Sequence, residues 1–194
     1  MTYLLTTSRR PSYRLRSFLK DLSSILPNAI HINRGKKTLE DLLYDAIEFK
    51  ADRLIIVGER KGNPGKILIY EVDSEQEELR KLSMLILRGV KLSRENPNAI
   101  RVYNPQSIVL PISILRSELE EEAADIISKA LKIKLIHNDI EEYEVKPDIA
   151  VKIKYNEKEK YFILSFYNPS TGKSVGPLLK VGKIIDYRRA KSIP

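Results

Sequence analysis

Twice along the chain, two apolar runs of strand length flank a short polar loop: 53–72 around Arg60-Lys61-Gly62-Asn63-Pro64-Gly65, and 149–168 around Asn156-Glu157-Lys158-Glu159. Each hairpin pattern follows a strand–helix–strand pattern, which restricts the chain to α/β folds built on a mixed sheet. In the first unit Tyr3–Thr6 reads as a strand. Ser12 then caps a helix carrying Leu15, Phe18, Leu19, Leu22 and Leu26, closed by Pro27-Asn28. Ala29–Ile32 is a second strand, and Thr38 with Asp41 forms a capping box ahead of Leu39, Leu42, Leu43, Ala46 and Ile47. The first 72 residues therefore read βαβαββ. An acidic connector, Asp73–Glu78, leads into 79–92, where a helix started by Ser74 and Glu77 competes with a strand; the alternation favours a strand from about Leu82. Turn signals at Asn96-Pro97-Asn98 and Asn104-Pro105 mark a boundary. Beyond it come a strand at Ile108–Leu110, an acidic helix from Ser117-Glu118 to about Leu131, a strand at Lys134–His137, the second hairpin and a last strand at Leu178–Ile185. The pattern predicts one domain of two similar α/β halves, about 1–95 and 100–194, as an internal duplication.

A chain of 194 residues with 42% hydrophobic and 31% charged residues supports a packed core without cross-links. It has no cysteine, which excludes disulfides, zinc ribbons, iron–sulfur clusters and thiol nucleophiles. Its two histidines, His31 and His137, stand far apart and read as structural, so no metal site and no cofactor are expected. No apolar run approaches the ~20 residues of a membrane span. Basic residues follow rather than precede the apolar Tyr3-Leu4-Leu5, unlike a signal peptide. A soluble, cytoplasmic protein without membrane contact is expected.

Catalytic motifs fail one by one. Gly172-Lys173-Ser174 resembles the tail of a phosphate-binding loop, but Tyr167 stands where the first glycine belongs and a strand follows. Gly62-Asn63-Pro64-Gly65-Lys66 has the wrong spacing, and no G-x-G-x-x-G is present. The acidic runs at 75–78 and 118–122 are contiguous and read as solvated faces. The sequence therefore predicts a protein that is not an enzyme.

Charge is more informative. The net charge is +8, yet residues 1–40 carry +6 and the last 34 carry +5, while 41–160 carry −3. A surface uniformly laced with ion pairs, which the Lys-, Glu- and Ile-rich, Gln-poor thermophile-like composition would supply, does not segregate in this way. The segregation predicts an anion-binding surface built from the two ends. Arg9, Arg10, Arg14 and Arg16 crowd the start of the first helix, where the backbone N–H groups and Ser8 and Ser12 favour phosphate. Arginine grips phosphate bidentately. Arg34, Lys36 and Lys37 form a basic turn, and Arg60 and Lys61 a third loop. Lys180, Lys183, Arg188, Arg189 and Lys191 form the second basic stretch, with Tyr187 among them as a stacking candidate. Lys180 and Lys183, three apart on a strand, are expected on opposite faces.

In order and spacing, these segments resemble the Brix domain family of ribosome biogenesis. Ser8-Arg9-Arg10-Pro11-Ser12 with Arg14 and Arg16 resembles its opening segment, Ile32-Asn33-Arg34-Gly35 its second signature and Glu59-Arg60-Lys61-Gly62-Asn63-Pro64 its third. Gly176-Pro177-Leu178-Leu179-Lys180-Val181 resembles its sigma-seventy-like segment, although Leu178 and Leu179 replace the usual arginine and aromatic, and Lys61 replaces a common arginine. The resemblance implies two halves like the anticodon-binding domain of class II aminoacyl-tRNA synthetases. It implies binding to ribosomal RNA or its precursor, alongside ribosome assembly proteins or small ribonucleoproteins, in an archaeal relative of the small-subunit (Imp-type) branch. A bare, monomeric domain is expected. Gly35, Gly62, Pro64, Gly65, Gly176 and Pro177 are expected to shape turns. The alternative is a protein-interaction scaffold using the acidic middle, with little direct RNA contact.

Overall fold

The computed structural model describes residues 1–194. Its strands are β1 (Tyr3–Thr7), β2 (Ala29–His31), β3 (Arg53–Arg60), β4 (Asn63–Asp73), β5 (Glu78–Lys91), β6 (Ile108–Pro111), β7 (Lys134–Ile136), β8 (Ile149–Asn156), β9 (Tyr161–Tyr167), β10 (Ser174–Asp186) and β11 (Lys191–Ile193). The helices are α1 (Tyr13–Ser23), α2 (Leu39–Glu48) and α3 (Glu118–Leu131), with short 3-10 turns at 93–95 and 140–142. All strands join one sheet in the order β2-β1-β3-β4-β5-β10-β9-β8-β6-β7, with β11 added beside β10. β1 pairs in parallel with β2 and β3, and β6 in parallel with β7 and β8; the hairpins β3–β4 and β8–β9 are antiparallel. The antiparallel pair β5–β10 joins the two runs at the centre.

Alternation along the strands assigns the two faces. Tyr3, Leu5, Ile55, Val57, Ile67 and Ile69 point into a core of 35 buried residues shared with α1, α3 and the second run's Val151, Ile153, Phe162 and Leu164. The intervening Leu4, Leu54, Ile56 and Tyr70 meet Leu42 and Ala46 of α2 on the other face. That second face is also covered at the far end, where Ile140 packs with Val109, Ile136 and Ala150. Between these two covers the sheet lies open to solvent.

The caps form where the sequence placed them. Ser12 Oγ accepts from the Leu15 N–H at 3.2 Å, and Thr38 and Asp41 make the reciprocal capping box. Ser117 caps α3. The C-terminus of α3 is held from the other run: the Tyr3 hydroxyl donates to Leu131 O at 2.7 Å and buried Arg53 donates through Nε to Ala130 O at 2.8 Å. A cation there complements the negative helix end.

Several expectations are corrected. The loop at 60–65 shrinks to a two-residue turn, because Lys61 and Gly62 both adopt positive φ (+51° and +78°) and Arg60 pairs with Asn63. Pro64, Gly65, Gly176 and Pro177 thus lie inside strands rather than in turns. Gly65 allows a close approach, since a Cβ there would stand 2.5 Å from the Arg60 Cβ. β5 starts at Glu78 and β10 at Ser174, each earlier than expected, because pairing extends the apolar alternation; β11 was not foreseen. α1 stops at Ser23, and Leu26 is buried beyond it.

Two substitutions test this packing. Phe162 is fully buried, so Phe162→Ala is expected to destabilise by about 3–5 kcal/mol in denaturant unfolding. Gly176 holds φ +62° against α1's trailing turn, where a Cβ would lie 2.4 Å from Ile25 Cγ2. Gly176→Ala should cost about 2 kcal/mol or more, against about 1 for Gly172→Ala, whose Cβ meets open space.

Candidate nucleic-acid interface

Parallel pairing of β1, β2 and β3 places their carboxyl ends side by side, so the loops 8–12 and 32–37 and the turn 60–62 meet at one end of the sheet. Hydrogen bonds stitch them together. The Ser8 N–H donates to Val57 O at 2.8 Å, the Ser12 N–H to Glu59 Oε2 at 2.9 Å, and Ser12 Oγ to Gly62 O at 3.1 Å. The Ile32 N–H reaches Leu5 O at 2.9 Å. These contacts hold Arg10 at φ +53° immediately before Pro11, a conformation few non-glycine residues adopt.

The structure sorts the cations here into two groups. Arg9, Arg10, Lys36, Arg60 and Lys61 are exposed and make no ion pair. Arg16 is exposed, donates to Pro11 O and lies 5.2 Å from the Tyr13 ring. Arg34 donates through Nε to Lys37 O; its pKa is lowered by burial and by the neighbouring Arg9 charge. Arg34 also feels the Asp41 carboxylate, but that group is spent on the Thr38 cap, so the two like charges remain a place for an anion. Arg14 and Lys37 belong to the fold instead. Arg14 is bound by Glu95 and donates to Val90 O, and Lys37 pairs with Asp45 at 2.5 Å. Hydrogen bonding from Arg14 holds the Glu95 carboxyl below its ordinary range.

The second basic stretch is not brought to this end. Antiparallel registers from β3 through β10 carry Asp186 to the opposite end of the strands, level with Ser83, and Arg188 and Arg189 follow it there. Arg188 grips buried Asp186 in a bidentate pair at 2.8 and 2.9 Å, Arg189 pairs with Asp125 at 3.0 Å, and Lys191 pairs with Glu122. Arg189 and Lys191 thus neutralise two carboxylates of α3. Tyr187, the stacking candidate, is covered by Lys81 at 4.1 Å.

Lys180 and Lys183 correct the sequence reading. Gly182 is an extra residue between Val181 and Lys183 in the pairing with β5, so the alternation changes phase: Leu179 and Val181 point inward before it, Ile184 and Asp186 after it. Both lysines therefore stand exposed on the open face. Lys66, Arg88, Lys152 and Lys154 share that face and were passed over in the sequence. Val151-Lys152-Ile153-Lys154 marks two of them as outward by simple alternation. Nothing local marks Arg88, whose position depends on the same irregularity.

No His, Cys, Asp and Glu cluster is arranged to hold a metal ion, and no helix is long and apolar enough to cross a membrane. The chain matches no protein-family model. It is 35% identical over 187 residues to a protein of Aeropyrum pernix named as a probable Brix domain-containing ribosomal biogenesis protein, covering 92% of this chain and 94% of that one. The chain belongs to the Brix domain family. A crystal structure of a probable ribosomal biogenesis protein from Aeropyrum pernix superposes with a TM-score of 0.79 at 34% identity, covering 93% of this chain and 95% of that one. An archaeal Imp4-like protein shares the fold, with a TM-score of 0.64 at 23% identity over 94% of this chain and 99% of the other.

The Asp186–Arg188 pair gives a pH test. Burial alone would raise the Asp186 carboxyl, but the hydrogen bonds and charge of Arg188 hold it below its ordinary value. A depressed folded pKa stabilises above the unfolded carboxylate range and loses that contribution as pH falls through the folded value. Asp186→Asn should therefore lower stability by about 1–3 kcal/mol at pH 7, and the gap to wild type should close in acid, as followed by denaturant unfolding.

Proposed function

We propose that this protein is a non-catalytic factor in ribosome biogenesis that binds ribosomal RNA or its precursor. The observation carrying this reading is the cluster of unpaired cations where loops 8–12, 32–37 and 60–62 converge, led by Arg9, Arg10 and Arg34. The names of its relatives supply the biological setting. Phosphate contacts from such a cluster position RNA without reading its sequence. The repeated strand order on either side of β5–β10 supports an ancestral duplication, with each half built like an anticodon-binding domain of a class II aminoacyl-tRNA synthetase. The shared core supports a single Brix domain over 1–194, acting as a cytoplasmic monomer beside assembly proteins or small ribonucleoproteins. A scaffold reading that relies on the acidic middle is weakened by Arg189 and Lys191, which occupy two of the carboxylates of α3, Asp125 and Glu122.

Fluorescence anisotropy with labelled ribosomal RNA fragments tests the reading. Arg9→Glu, Arg10→Glu and Arg34→Glu together should weaken binding by about 100-fold at moderate salt and reduce the slope of log K against log salt by about 2. Arg188→Glu with Arg189→Glu should lower stability while leaving RNA affinity within about threefold of wild type. Equal loss from both variants would refute the cluster as the binding site.

A further inference from the structure

The open face of the sheet, between α2 and the turn at 140–142, contains cations from four strands, and alternation places no Asp or Glu of β4, β5, β8, β9 or β10 among them. Lys66 of β4 and Lys183 of β10 both pair with Ile86 of β5, one on either side. Lys180 of β10 and Lys154 of β8 likewise flank Ile163 of β9. With strands ~4.8 Å apart, each pair is separated by roughly 10 Å and the row from β4 to β8 spans roughly 19 Å. All four lysines are exposed and none makes an ion pair. Arg88 completes the row. A Cβ on Gly182 would stand 2.7 Å from Arg88 Nε, so the missing side chain is what lets Arg88 lie flat across β10. There its Nη1 donates to Glu159 O at 2.6 Å and its guanidinium sits 6.0 Å from the Tyr161 ring, with Lys180 Nζ 5.2 Å from the same ring.

We infer that this face is a second binding surface for one single strand of RNA, continuous in function with the loop cluster and resting on the RNA-binding reading above. Charge complementarity identifies a polyanion: five cations converge where solvation and mutual repulsion would otherwise disperse them. The floor between them decides its form. Met84, Ile86, Ile163 and Ile185 are half-buried, outward-facing apolar side chains interleaved with the cations. Unpaired bases offer apolar faces to such a floor, whereas in a duplex those faces are stacked on one another inside the helix. The covers at either side, α2 and the Ile140 turn, leave a trough rather than a flat plane.

The test uses the full chain and a labelled 20-nucleotide uridine oligomer. Lys154→Glu, Lys180→Glu and Lys183→Glu combined should weaken binding about 10-fold or more and reduce the salt slope by about 2. Lysine acetylation of the wild-type protein, read by mass spectrometry, requires no variant to fold. The oligomer should protect Lys154, Lys180 and Lys183 and leave Lys134, on the edge strand β7, reactive. Unchanged affinity in the triple variant, or no protection of the three lysines while the oligomer is bound, would overturn the sheet-face assignment and leave the loop cluster standing. Equal protection by polyglutamate or by an RNA duplex of the same length would overturn the single-stranded RNA assignment. No binding of any RNA by the wild-type chain would instead sink the reading on which this inference rests.

Discussion

The antiparallel pairing of β5 with β10 is the contact on which the rest of the molecule depends. Without it there are two separate sheets, one of five strands and one of six counting β11, each with one long unpaired edge. With it, α1 and α3 settle on one continuous face and a single core runs beneath both. The pairing is irregular near its middle, where Arg88 and Gly182 are both extra to the register. That defect turns Lys180, Lys183 and Arg88 to one side. A perfectly regular ladder would have buried one lysine or forced it against the helices.

A second constraint is how the cations are divided. Arg14, Arg53, Arg189 and Lys191 tie elements together, each with a carboxylate or a carbonyl of another element as its partner, while Arg188 closes locally on Asp186 at the end of β10. Tyr3 belongs with them: burial pushes its phenol well above the ordinary value, so the hydroxyl remains a donor to α3 under all ordinary conditions. Net charge alone therefore overstates what the C-terminal stretch offers a ligand. Of the cations described above, those left free lie in the N-terminal loops and on the open face of the sheet.

The secondary structure was legible because its signals are local. Ser12, Thr38 with Asp41, and Ser117 mark three helix starts, and alternation marks the strands of both hairpins. The family was legible because motifs far apart in sequence occur in a recognisable order. What could not be read was pairing between distant strands. The phase change at Gly182 exists only because β5 lies beside β10, and the pairing of Arg189 and Lys191 with α3 depends on where the final hairpin docks. The two-residue turn at Lys61-Gly62 was obscured by Pro64 and Gly65, which look like loop residues but fit an edge of the ladder where a bulge follows Gly58.

The ends of the sheet have their own consequence. Its outermost strands, β2 and β7, and the appended β11 are each three residues long. A sheet of eleven strands thus exposes very little unpaired backbone to another chain, although the middle of one broad face is bare. Short margins give incoming strands nothing to extend. Copies of this protein crowded together, or heated until their loops loosen, should resist joining edge to edge into fibrils.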